Sequence, residues 1–307
     1  MGFHGVLIEW LTCDSVIEQA QNTGVTIDVP SDVADILNSA SVPLSSIDSI
    51  IWSHHHVDHI GDPSLFPSTT SLVVGPGFKS NPKAYPGYPN NPDALTVQDA
   101  FEGRHLVELD FNESQLRVCG LRAIDWFDDG SFYILEAPGH TNDHVMALAR
   151  TAEEKFILLG GDAIHHCGEF RPTPLLPLPE SIFPSPFGPP TGPSLSSCPG
   201  SLFEPIHRSA ADLKSDFRTT PFYEATPMMK TDAAASHFTL EAIKTLDANP
   251  DVLVVIAHDS HLFEILEFYP NLKAELTGWE EGGERNTKGI GRWRFLKDFG
   301  KQLVIPV

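Results

Sequence analysis

A polar cluster directly after an apolar run constrains the fold of this chain more than any other feature. The run Ile47–Trp52 predicts a strand, and it leads straight into His54, His56, Asp58 and His59. Neutral imidazole and carboxylate groups are ligands that zinc prefers in hydrolytic sites. An accidental histidine-rich surface tract would lack the aspartate and would not follow a strand. The pattern therefore predicts a metal-binding turn at the edge of a sheet.

Three later residues have the same ligand chemistry, and each follows a β-like run. His140 comes after a tight turn, Asp162 after a pair of glycines, and His258 after a long apolar run. A single histidine at a strand end is more often a packing or surface group, so each residue alone is weak evidence. Together they predict one site built from several strand ends. His55 alternates with the ligands of the first cluster and is expected to have a structural role.

The rest of the chain alternates predicted helices and strands. Ser31–Ala40 predicts a short amphipathic helix with Ser31 as its N-cap, and a longer helix is predicted from Thr231 to Leu246. The apolar stripe of the longer helix comprises Ala235, Phe238, Leu240, Ala242 and Ile243. Strands are predicted at Ser71–Val74, Leu106–Asp110, Gln115–Cys119, Arg122–Trp126, Ser131–Glu136, Val145–Ala149, Phe156–Leu159 and Val252–Ala257. Glycine and aspartate punctuation from 106 to 160 indicates antiparallel hairpins, and the whole order argues for an α/β layered domain.

The segment Arg171–Gly200 is dense in proline, which removes backbone donors and predicts that no regular element forms there. It is either a flexible linker or an ordered loop that covers a pocket. We expect residues 1–307 to form a single domain with this segment as an insertion loop.

Charge and composition narrow the function. The chain has 41 acidic and 20 basic residues and a formal charge of −21, which argues against nucleic-acid binding. No apolar run is long enough to span a bilayer, and the start has no basic leader. The four cysteines are widely spaced and predict free thiols in a reducing compartment. We therefore expect a cytoplasmic enzyme with a small-molecule substrate, while the oligomeric state stays open.

The motifs resemble the metallo-β-lactamase superfamily, whose pattern is His-x-His-x-Asp-His, then a Gly-His-Thr turn, Gly-Asp and a final histidine. The resemblance spans about Ile47 to Ser260. It implies a four-layer αβ/βα sandwich. That family usually has several strands before the first motif, and only 53 residues precede His54, so a shortened N-terminal sheet is expected.

The resemblance also implies roles for individual residues at a site with two zinc ions. In this scheme one ion is held by His54, His56 and His140, the other by Asp58, His59 and His258, and Asp162 bridges them. A hydroxide shared by the ions attacks a carbonyl, and Asp58 passes the proton to the leaving group. His144 is expected to support the site without binding metal. Substrate contacts are expected from His165, His166, Phe170 and Tyr223.

The complete ligand set resembles that of lactonases and glyoxalase II-like thioesterases, and the segment Ser53–Asp62 resembles the corresponding segment of fungal hydrolases of small metabolites. We expect the opening of a lactone or lactam of a secondary metabolite. Hydrolysis of an acyl thioester is the first alternative, since it makes the same demand on the metals. A persulfide dioxygenase with one iron and a non-enzymatic binding protein are further alternatives.

Overall fold

The computed structural model describes residues 31–189, 196–210, 216–224, 230–266, 268–269, 277–283 and 286–303. The expected shortening of the N-terminal sheet concerns residues 1–30, which lie outside the described part of the chain. Two compact units are distinguished by their internal contacts. Unit 1 comprises Met1–Glu113, Thr141–Val145 and Tyr269–Lys273, and unit 2 comprises Ser114–His140, Met146–Phe268 and Ala274–Val307.

Unit 1 is built on a small parallel sheet. Strands β1 (Ser49–Ile51), β2 (Ser71–Val74) and β3 (Leu106–Glu108) lie in the order β1-β2-β3, and both neighbouring pairs are parallel. Strand β3 therefore takes no part in the antiparallel hairpins predicted for the stretch that follows it. The long connection from 75 to 105 supplies the crossover that a parallel pair needs. The core beneath this sheet includes Trp52, Leu72, Val74, Phe78 and Phe101.

The first described helix, α1, spans Val33–Ser39 in unit 1. Its N-cap is Asp32, whose side chain accepts a hydrogen bond from the Asp35 amide at 2.7 Å. The predicted cap at Ser31 is one residue too early. Serine and aspartate cap helices about equally well, so the choice between neighbours depends on the backbone path.

Unit 2 contains the larger sheet. Strands β4 (Arg117–Val118), β5 (Leu121–Asp125), β6 (Phe132–Glu136), β7 (Val145–Ala152), β8 (Lys155–Leu159), β9 (Ser181–Ile182), β10 (Cys198–Pro199) and β11 (Val252–Val255) follow in the chain. Six of them form one sheet in the order β11-β8-β7-β6-β5-β4. The pairs β4–β5, β5–β6 and β7–β8 are antiparallel, as predicted for this stretch. Strand β11 pairs in parallel with β8, so their carboxyl ends point the same way.

Helix α2 (Ala233–Ala248) contributes Ala242, Ile243 and Leu246 to the core of unit 2, which also contains residues of β8 and β11. The predicted stripe is wrong at Phe238, which is 53% exposed. Its ring lies over Gly120, where an added Cβ would be 3.2 Å from the ring. The buried face of the helix therefore includes small polar side chains, Ser236 and Thr239, in place of that aromatic ring.

The proline-dense segment is largely described and largely ordered. Against the prediction that it has no regular element, β9 and β10 form a two-residue antiparallel ladder. Leu178 and Ile182 are buried in the core of unit 2, which anchors the segment between its prolines.

Two short helices complete unit 2, α3 (Ser260–Phe263) and α4 (Thr287–Gly291). Short 3-10 helices occur at Leu44–Ser46, Val57–His59, Pro63–Leu65, Gln98–Ala100, Cys167–Glu169, Gly200–Ile206 and Arg294–Lys301. Among the described helices, none has the length and apolar character needed to cross a membrane. The described cysteines Cys119, Cys167 and Cys198 are free thiols, as predicted for them.

Candidate metal centre

The first cluster lies just beyond β1 in unit 1. The Trp52 amide donates to the Val73 carbonyl at 3.0 Å, so the chain leaves the sheet one residue after β1 and reaches His54. The ring centre of His54 lies 4.6 Å from that of His56 and 4.3 Å from that of His59. Three imidazoles of this one segment therefore lie close together.

The turn that carries Asp58 and His59 is the single 3-10 turn Val57–His59. It closes with the His59 amide donating to the His56 carbonyl at 3.0 Å. Asp58 Oδ2 lies 3.4 Å from His59 Nε2, and the Asp58 side chain is 51% exposed. This exposure gives its carboxylate access to solvent.

His55, whose ring centre lies 5.0 Å from that of His56, bonds to a carboxylate outside the first cluster. Its Nδ1 lies 2.8 Å from Asp143 Oδ1, and both side chains are buried. Burial alone would raise the pKa of Asp143, but the hydrogen bond from His55 keeps that pKa below its ordinary value. The Val145 amide also donates to the Ser53 carbonyl at 2.8 Å. In unit 1, these bonds tie the first cluster to the Thr141–Val145 segment, as does the 5.2 Å between the rings of His54 and His144.

In unit 2, the turn before His140 is held against the start of α2. The carbonyl of Gly139 accepts from the amides of Thr231 and Asp232, and Thr239 Oγ1 donates to the Pro138 carbonyl at 2.9 Å. Gly139 has φ +136°, and an added Cβ would lie 2.4 Å from Ser236. Only glycine fits here, because both the backbone angle and the close approach exclude a side chain.

Asp162 and His258 are brought together by the parallel pair β8 and β11. Leu159 is in register with Val255, and each ligand candidate follows its strand end by the same three residues. The Gly160 amide donates to the Val255 carbonyl at 2.7 Å, and the Ala257 amide donates to the Gly161 carbonyl at 3.1 Å. The sheet thus extends almost to both residues and fixes their separation.

A single buried carboxylate lies among three imidazoles in unit 2. The oxygens of Asp162, whose side chain is 4% exposed, lie 3.1 Å from His258 Nε2, 3.4 Å from His165 Nε2 and 3.6 Å from His140 Nε2. The His258 side chain is 42% exposed, so this group opens to solvent on one side. A buried carboxylate with several convergent imidazole nitrogens is a donor set that suits a divalent transition metal.

The described side chains that could hold a metal ion fall into two groups. One group, in unit 1, is His54, His56, Asp58 and His59, and the other, in unit 2, is His140, Asp162 and His258. The donors are imidazoles and carboxylates, a set that fits zinc and similar ions. His144 is in neither group.

The four residues expected to contact substrate have different surroundings in unit 2. His165 lies beside Asp162, and its ring stacks on that of His258 with centres 5.4 Å apart. His166 and Tyr223 are partly exposed and lie edge to face with ring centres 4.8 Å apart. The prediction that Phe170 contacts substrate is wrong, because Phe170 is 1% exposed and packs in the core under the Arg171 guanidinium. It has no free face for a substrate.

Several polar residues near these positions were not found from the sequence. Asp298 bonds to His166 and His261, and Cys167 donates to Asp259 at 3.1 Å. Glu169 is buried, and burial raises the pKa of its carboxyl above the ordinary value. Asp259 follows His258 directly in the sequence, whereas no local pattern marked Asp298 or Glu169.

Several proteins of known name are similar in sequence to this chain. The chain is 40% identical over 291 residues to a protein named gamma-lactamase FDB1 of Fusarium pseudograminearum, covering 93% of this chain and 66% of that protein. It is 46% identical over 207 residues to gamma-lactamase MBL2 of Gibberella moniliformis, covering 66% and 84%. Metallo-hydrolase mfmC of Annulohypoxylon moriforme is 38% identical over 287 residues, covering 93% and 70%. The chain thus spans just under two thirds of the first relative's length.

Two other comparisons add little. No protein-family model matches the chain. A solved quorum-quenching N-acyl homoserine lactone hydrolase is similar over 80% of this chain and 71% of its own, with 13% identity and a TM-score of 0.47. This structural likeness is distant, so the assignment rests on the sequence relatives.

The chain belongs to the metallo-β-lactamase superfamily of metal-dependent hydrolases. Both the family resemblance and the α/β metallo-β-lactamase fold class predicted from the sequence are confirmed.

Proposed function

We propose that this protein is a binuclear zinc hydrolase that opens the ring of a lactam or lactone in a small metabolite. The observation that carries the proposal is the buried Asp162 carboxylate with the Nε2 atoms of His140, His165 and His258 within 3.6 Å of its oxygens. A carboxylate in this setting needs positive charge to compensate its burial, and metal ions supply it. The names of two relatives, both gamma-lactamases, support a cyclic amide.

The proposed ligand assignment is the one that the family resemblance implies. His54, His56 and His140 would hold one zinc, Asp58, His59 and His258 would hold the other, and Asp162 would contribute to both. When bound, ions of this kind lower the pKa of water and polarise a substrate carbonyl. The exposure of Asp58 and His258 supports an open side for substrate at the second ion.

The residues of the chain have separate tasks in this scheme. His140 and His258 keep their Nε2 atoms directed at Asp162, so the donor geometry exists before substrate arrives. We assign the proton transfer to Asp58, whose half-exposed carboxylate can carry a proton to the leaving nitrogen or oxygen. His165 stacks on His258 and keeps that ring in place. The strong negative charge of the chain disfavours a polyanionic substrate.

The test is metal content and substrate turnover of protein purified without chelator. We expect about two zinc ions per chain and opening of a γ-lactam or γ-lactone from a panel that also holds an acyl thioester. Asp162→Asn should lose both metal and turnover. The matched control is Asp251→Asn, which removes a partly exposed carboxylate that pairs with Lys155 at the amino ends of β8 and β11.

The other outcomes separate the alternatives. Turnover of the thioester alone would replace the substrate class and keep the metal site. One iron per chain with oxygen consumption would overturn the hydrolase. Metal-free wild-type protein without turnover would overturn the proposal as a whole.

A further inference from the structure

Two segments that follow proposed metal ligands in unit 2 converge on one distant carboxylate. His166, four residues after Asp162, and His261, three residues after His258, both bond to Asp298 Oδ2. We propose that Asp298 is a positioning residue of the metal centre, which holds these two segments in the arrangement that binds metal. The inference rests on the proposed function.

The bond from His166 has a defined direction. The Gly168 amide donates to His166 Nδ1 at 2.9 Å, which makes Nδ1 an acceptor. The proton of the neutral ring is then on Nε2, and Nε2 donates to Asp298 Oδ2 at 3.1 Å. An added Cβ at Gly168 would lie 2.8 Å from the Tyr223 ring and 2.9 Å from His166 Nδ1. The ring of His166 is thus held between its own backbone turn and Asp298.

The bond from His261 ties down the segment after His258. His261 lies in α3, and its Nε2 is 2.9 Å from Asp298 Oδ2. Asp259, the N-cap of α3, accepts from the amides of His261 and Leu262 at 3.1 Å each. A displacement of His261 would therefore also displace Asp259, because one short turn joins them. His258 directly precedes Asp259 in the chain.

A weaker direct link joins the same two segments. The Cys167 thiol donates to Asp259 Oδ2 at 3.1 Å. Burial raises the pKa of Cys167 well above its ordinary value, so the thiol keeps its proton and remains a donor. A thiol is a weak donor, and the two imidazole bonds to Asp298 are charge-assisted and stronger.

Asp298 itself is anchored from the other side. It lies in the 3-10 helix Arg294–Lys301, whose residues Phe295, Leu296 and Phe299 are buried in the core of unit 2. Partial burial alone would raise the pKa of Asp298, but the hydrogen bonds from His261 and His166 hold that pKa below its ordinary value. The carboxylate stays ionised near neutral pH and acts as a fixed acceptor for both rings.

The two bonds share one oxygen, so the choice of variant separates anchoring from charge. Asp298→Ala removes both bonds, whereas Asp298→Asn keeps one oxygen at nearly the same place and loses the charge. Residues that support metal ligands typically change metal affinity 10-fold to 100-fold when they are replaced. We expect Asp298→Ala to weaken binding of one zinc by about 10-fold or more, and Asp298→Asn to recover part of it.

The experiment measures zinc dissociation constants by competition with a chromophoric chelator, together with the cobalt(II) absorption spectrum and the melting temperature of metal-free protein. Asp251→Asn serves as the control, because Asp251 is an aspartate of the same unit whose partner is Lys155. We expect weaker binding of one metal and an altered cobalt spectrum in Asp298→Ala, and wild-type values in the control.

The two proposals fail in different ways. If wild-type protein binds two zinc ions and Asp298→Ala binds both with wild-type constants, the positioning role is refuted and the hydrolase proposal stands. The role is refuted as well if only the melting temperature changes. If wild-type protein binds no metal, the proposed function itself fails.

Discussion

A buried ion pair in unit 2 provides a quantitative test of what holds the core together. Arg171 donates to both carboxylate oxygens of Asp247, at 2.8 and 2.6 Å, and to the Arg292 carbonyl at 2.9 Å. Both side chains are almost fully buried. Burial alone would lower the pKa of Arg171, but the Asp247 carboxylate keeps that pKa above its ordinary value. The Arg171 guanidinium is therefore charged in the folded protein.

Replacing Asp247 by Asn leaves the guanidinium charged and buried without a counter-ion. Removal of one partner of such a pair costs about 3–5 kcal/mol. We expect this loss in the free energy of unfolding, measured by urea denaturation of metal-free protein. The pair is shielded from solvent, so the loss should change little between low and high salt.

Two further variants decide whether the cost comes from the uncompensated charge. Arg171→Met combined with Asp247→Leu removes both charges, and we expect its stability to lie well above that of Asp247→Asn. The partly exposed pair Lys155–Asp251 is the control, and Asp251→Asn should cost less than about 1 kcal/mol. A loss below about 1 kcal/mol in Asp247→Asn, or a double variant less stable than the single one, would refute the reasoning.

Two other predictions concern a glycine and a lysine. Gly139→Ala places a Cβ against Ser236 at a residue with φ +136°. We expect the free energy of unfolding to fall by more than about 1–3 kcal/mol and the metal content to be reduced. The control is Gly282→Ala, where φ is +77° and the space is open, so only the backbone strain should appear. Burial lowers the pKa of Lys288 to about 8 from 10.5, so the folded protein binds fewer protons than the unfolded chain between these values. Stability should therefore rise by up to about 3 kcal/mol from pH 8 to pH 10.5, and urea denaturation of Lys288→Met should show no such rise.

The turns that carry the proposed ligands were predictable because they follow their strands locally. The composition of Ile47–Trp52 and Val252–Ala257 predicts strands, and the structure has β1 and β11 within these ranges. The pairing of strands could not be predicted in the same way. Leu106–Glu108 has the same β-like composition whether it forms a hairpin or a parallel pair, and only the path of residues 75–105 selects the parallel sheet.

Burial was harder to predict than secondary structure. Phe238 and Phe170 have the same side chain, yet the first is exposed over Gly120 and the second is buried under Arg171. Helical periodicity places Phe238 on an apolar face, but its ring lies over Gly120, in the turn between β4 and β5, and stays exposed. For Phe170, no periodic pattern exists in the proline-dense surroundings, so its burial depends on packing alone.

The sequence by itself determined the kind and order of the proposed ligands, from His54 to His258, because each ligand is tied to a local strand end. It also determined the family, which the relatives confirm. The tertiary structure decided which groups support them. His55 meets Asp143 across 88 residues and His166 meets Asp298 across 132, and contacts between such distant positions leave no periodic trace in the chain. The fold brings these partners together, and for the buried His55 this is required, since a buried imidazole is stable only where the fold supplies a hydrogen-bond partner.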